Sequence, residues 1–164
     1  MKEFDVEERV NQAIQYFKSG YNCSQSVFLA YADLFDLDQE LAKKISVSFG
    51  GGMGRMREVC GTVSGMALLA GFKYPVPDTS DQDARKKNYT MVQKMAELFK
   101  EKNGSIVCRE LLAPTDAAST NPSPEARTKE YYKKRPCVAL VEDAARIAGS
   151  MIKGELDGWL RPSI

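Results

Sequence analysis

Apolar residues in this chain return every three or four positions, segment after segment, and the strict alternation of a half-buried strand is never sustained. That rhythm restricts the fold to packed helices. Val6, Val10, Ala13, Ile14 and Phe17 mark a first helix, stopped at Ser19-Gly20. Asn22 can cap a second, with Cys23, Val27, Ala30, Tyr31 and Leu34 on one face. Asp38 can cap a third, with Leu41, Ile45 and Phe49 inward. A fourth is expected to begin near Cys60 and to carry Val63, Ala67 and Leu68. A long helix from Asp81 to Lys102 closes at Asn103-Gly104, and Ser105 can cap a short one through Cys108, Leu111 and Leu112. The last starts near Pro136 and shows Cys137, Val141, Ala144, Ala145, Ala148 and Ile152. Lys73–Asp81 and Ala113–Ala126 read as proline-punctuated loops, the second being the expected mobile segment. The expectation is an all-α fold: one compact helical domain of six to eight helices over residues 1–164, without repeats.

The chain has 164 residues, 43% hydrophobic and 27% charged, which suffices for one buried core. Its 23 basic and 22 acidic residues nearly cancel, so charge gives no case for nucleic acid. No apolar run reaches the roughly 20 residues of a membrane span, so membrane insertion is not expected. Met1, Lys2, Glu3 and Asp5 do not read as a secretory leader, and the expected location is cytoplasmic. The small residues Ala144, Ala145, Ala148 and Gly149 would let another helix, or the second copy of a homodimer, come close.

Histidine is absent, which excludes His-ligated metal sites and Ser-His or Cys-His catalysis. Four cysteines remain, Cys23, Cys60, Cys108 and Cys137, with no CxxC pair among them. Each falls at or near the expected start of a helix, where free N–H groups and the helix dipole favour thiolate. Each also shares a face with apolar residues, so the four thiols can point into one pocket. Taken one at a time, each is better explained as a small buried hydrophobe.

The stretch GGGMGRMREVCGTVSG holds six glycines from Gly50 to Gly65, around Cys60. It lacks GxxxxGK[ST], and no strand precedes it, so a nucleotide cradle is disfavoured. Its glycines read as a junction that mounts Cys60 at a helix start. N–H groups beside Arg55 and Arg57 could also hold a small anion. Arg109 beside Cys108 and Arg135 before Pro136-Cys137 are cations that would stabilise a thiolate, or plain surface charges. Tyr21, Met53 and Met56 are candidates to line the pocket, with core packing the simpler account.

Four blocks stand in order: GYNCSQSVFLAY, FGGGMGRMREVCGTVSGM, GSIVCRELL and KRPC. Together they resemble the family of redox-active proteins known by the pattern C_GCAxxG_C_C, over about Phe17 to Ile152. The resemblance places Cys23, Cys60, Cys108 and Cys137 on the four motif cysteines, and Gly61 and Gly65 on the motif glycines. Thr62 departs from the motif alanine and adds a hydroxyl beside the site, and the Ala113–Ala126 loop is longer than the family needs. The resemblance implies redox activity and names no substrate. Some relatives are encoded near transporter genes, which implies a role around transport. The family is also distantly similar to split-Soret cytochromes, but haem ligation does not carry over to a chain without His or CxxCH.

Three readings follow. The first is thiol–disulfide or electron-transfer chemistry with a redox partner protein, Cys60 as nucleophile and one of Cys23, Cys108 and Cys137 as resolving thiol. The second is an iron–sulfur cluster or zinc held by the same four cysteines. The third is a non-enzymatic helical binding or assembly module.

Overall fold

The computed structural model describes residues 2–113, 115 and 117–161, so Pro114 and Asp116 of the long loop lie outside it. Eight right-handed helices form among the described residues, and most begin or end where the sequence signals them. Asp5 accepts from the Glu8 N–H to start α1 (Val6–Lys18). Asn22 and Gln25 cap α2 (Cys23–Ala32) reciprocally, each side chain on the other's backbone N–H. Asp38 caps α3 (Gln39–Ser46). The next turn, α4 (Gly50–Met53), is wound the other way, as described below. Cys60 occupies the cap position of α5 (Gly61–Lys73). Asp81 caps α6 (Gln82–Asn103), and Gly104 ends it in the left-handed conformation. Then come α7 (Cys108–Leu112), α8 (Lys129–Lys134) and α9 (Cys137–Lys153).

Three details differ from expectation. Leu41 is 48% exposed, because α3 turns Ala42 and Ser46 inward instead, with the Ser46 hydroxyl donating to the Ala42 carbonyl at 2.7 Å. Val107, not Ser105, holds the cap position of α7. Ser105 Oγ accepts the Val107 N–H two residues earlier and donates to Glu110. The helix α8, sequence KEYYKK, carries no apolar stripe and is set by the Thr128 cap, whose hydroxyl accepts from the Tyr131 N–H.

The helix α9 packs against α1, α2, α5 and α6, and α2 lies between α1 and α5. Phe17, Phe28, Tyr31, Met66, Met91, Met95, Phe99 and Met151 fill the core. The Tyr31 hydroxyl donates to the Ala145 carbonyl at 2.7 Å, and a side chain at Gly149 would collide with that hydroxyl and with Val6. Ala144, Ala145, Ala148 and Gly149 are all buried within one chain. The small-residue face is therefore used for α1 and α2 and is not free for a second copy. Among the described residues, no helix is long and apolar enough to cross a membrane.

Candidate functional site

Cys23, Cys108 and Cys137 are the first residues of α2, α7 and α9, and Cys60 caps α5. All four line one cavity of about 380 Å³, and all four are free thiols. That is the convergence expected from the sequence. The cavity lies within the range of small-molecule sites.

Two backbone devices bring the thiols together. The first is an antiparallel bridge between Val59 and Val107. The Cys60 N–H donates to the Ile106 carbonyl at 2.8 Å and the Cys108 N–H to the Glu58 carbonyl at 2.6 Å. Val59 is 41% exposed, so strand alternation turns its neighbour Cys60, and likewise Cys108 beside Val107, to the other face. The second is the reversed turn. Gly51, Gly52, Met53, Gly54 and Arg55 have φ of 66°, 68°, 65°, 56° and 65°, five successive residues in the left-handed region. Gly52 is obligatory there, since a Cβ would lie 2.6 Å from Glu58 N and 2.7 Å from Cys108 Cβ. The turn leads to Arg57, also at positive φ, and directs a Gly51 N–H at the Cys23 sulfur.

Gly61 makes room for Cys23: a Cβ would sit 2.4 Å from its Sγ and 2.8 Å from the Phe49 carbonyl oxygen. Gly65 does not line the cavity. It lies one turn further along α5, against the Ser24 carbonyl and Val27, and serves helix packing. Thr62, the departure from the motif, shares a 3.1 Å hydrogen bond with Cys60 Sγ. Arg55 lines the cavity, whereas Tyr21, Met53 and Met56 do not. Arg109 turns away to pair with Glu58 at 2.5 Å.

At Cys23, Cys60 and Cys137 the helix starts do not lower the thiol pKa values as expected. Burial pushes the Cys60 and Cys23 thiols up, and pushes Cys137 up to about 12. For Cys23, N–H groups of Gly51, Ser24 and Cys23 itself act in the opposite sense without prevailing. Cys108 differs in its neighbour. Arg57 is only 2% exposed, and its Nη1 donates to Cys108 Sγ at 3.8 Å.

The sequence reading missed the far wall. Pro122, Pro124, Glu125 and Arg127 of the long loop close the cavity, with Tyr131 and Arg135 beyond them. Arginines tie that loop down. Arg55 Nε donates to the Asn121 carbonyl at 2.6 Å, and Arg57 Nε to the Ser119 carbonyl at 2.9 Å. Arg127 reaches the Phe17 and Tyr21 carbonyls, both at 3.0 Å, and Arg135 pairs with Glu125 at 2.5 Å. The proline and polar composition announced a loop but carried no signal of what it covers. Among the described residues, no group of three or more Cys, Asp or Glu side chains is arranged to hold a metal ion.

One protein-family model matches residues 21–151, that of the family described as "Putative redox-active protein (C_GCAxxG_C_C)". No curated protein and no solved structure matches the chain.

Proposed function

Since the chain belongs to the C_GCAxxG_C_C family of redox-active proteins, we propose that it performs thiol–disulfide exchange within the four-cysteine cavity. One observation carries this reading: four free thiols from four separate helix starts line the same cavity. Cys108 is the better attacking sulfur, because the Arg57 guanidinium lies against it and a cation there stabilises negative charge as it develops. Cys60 is less suited to that role, being buried against Thr62 with its thiol held protonated. Cys23, the first residue of α2 on the wall of the same cavity, is the proposed resolving partner.

The exchange balances without a metal. Two protein thiols give two electrons and two protons to a substrate disulfide, yielding a protein disulfide and two small thiols. Mild oxidation followed by peptide mapping tests it. A Cys23–Cys108 linkage is expected, lost in Cys108→Ser. A protein that forms no intramolecular linkage under graded oxidation would exclude exchange.

A further inference from the structure

The cavity wall carries four guanidinium groups, from Arg55, Arg57, Arg127 and Arg135, against one carboxylate, Glu125. Arg57 is the buried member. Its Nε is used by the Ser119 carbonyl and its Nη1 by Cys108, but Nη2 has no hydrogen-bond partner among the described residues and no solvent access. A buried charged donor left unpaired is destabilising, whereas one that finds an acceptor is not. The unpartnered Nη2 can give a charge-assisted hydrogen bond to a carboxylate oxygen. Much of the remaining wall is apolar, including Leu111, Leu112 and Leu140, and the volume of about 380 Å³ exceeds that of a bare inorganic ion.

We propose that Arg57 seats the carboxylate of a small organic disulfide, whose body fills the apolar part of the cavity and whose sulfur meets Cys108. The sulfur half of this inference rests on the exchange reading above; the anion half does not. In the reaction, the Cys108 thiolate attacks one substrate sulfur. The Cys108–substrate S–S bond forms, the substrate S–S bond breaks, and the first small thiolate leaves and takes up a proton. The Cys23 thiolate, its proton released to solvent, then attacks Cys108 Sγ. The protein disulfide forms, and the second small thiolate leaves and is protonated. A dithiol reductant returns the protein to its starting state.

The test uses the full reduced chain and two isosteric probes, dithiodipropionate and its carbon analogue suberate, which cannot be reduced. Suberate is expected to bind by calorimetry and to slow iodoacetamide labelling of Cys108 in the unaltered protein. Arg57→Met is expected to weaken suberate at least about tenfold, with Arg57→Lys recovering part of the loss. Dithiodipropionate is expected to release two thiols per chain, faster than its neutral diester. If suberate neither binds nor protects Cys108 in the unaltered protein, the anion seat is overturned, whether or not the Arg57 variants fold. Inorganic phosphate binding as tightly as suberate would overturn the carboxylate class. If the diester is reduced as fast as the acid, the seat fails while thiol exchange survives. If suberate binds and neither disulfide is reduced, the seat stands and thiol exchange fails.

Discussion

At Gly61 the absence of one carbon atom decides where Cys23 can lie. Gly61→Ala would place a methyl 2.4 Å from the Cys23 sulfur and 2.8 Å from the Phe49 carbonyl oxygen, so one of them must move. We expect a loss of about 1–3 kcal/mol in urea unfolding, together with faster alkylation of Cys23 as it is displaced. Protonation is the second residue-scale property. The Cys137 thiol is raised to about 12 from an ordinary 9.0, with burial as the main cause. Being raised in the folded state, it contributes stability that is complete below about 9 and is lost as pH climbs toward 12. Its alkylation rate should therefore keep rising past pH 9; a plateau near 9 would contradict the burial argument. The four cysteines and Gly61 were legible as a set because the motif marks them. Arg57 was legible as a cation near an anion site, but its burial and its contact with Cys108 were not. Both depend on a positive φ that no periodicity encodes in a non-glycine residue.

At the scale of elements, the reversed turn is the least ordinary part of the chain. Met53 is 48% exposed and holds φ of 65° with no contact that needs its side chain at the cavity. Left-handed geometry costs an L-residue about 1–2 kcal/mol, partly offset here by what glycine would gain in the unfolded chain. Met53→Gly should therefore stabilise the protein by a few tenths to about 1 kcal/mol in thermal unfolding, with thiol reactivity unchanged. Gly52→Ala should do the opposite, since its methyl meets Cys108 Cβ. The caps Asn22 and Asp38 and the Gly104 stop were read correctly because each acts within three or four residues. Run length of glycine pointed to a junction, yet its hand emerges only where Gly52 presses on Cys108, 56 positions away. The helix α8 and the exposure of Leu41 escaped for a similar reason: neighbours distant in sequence decide them.

At the scale of the whole molecule, Arg127 joins the long loop to the end of α1. Its guanidinium bonds the carbonyls of Phe17, in the last turn of α1, and of Tyr21 just beyond it, and lies 4.6 Å from the Phe17 ring and 4.8 Å from that of Tyr131. Arg127→Met should leave the core of α1, α2, α5 and α9 intact while raising backbone hydrogen exchange across residues 117–128. Unchanged exchange there would show that the other ties suffice. The core itself was readable from periodicity, because helices that bury one stripe each can satisfy it only by packing together. The closing of the loop was not, since its contacts run from guanidinium groups to backbone carbonyls that every residue owns. Those acceptors have a further consequence. Arg55, Arg57 and Arg127 are fastened to carbonyl dipoles and not to carboxylates, so they are held without being neutralised. Dipoles carry no titratable proton, so acid cannot unfasten them. The three groups are held on the cavity wall without carboxylate partners of their own, and the resting protein has standing demand for a counterion.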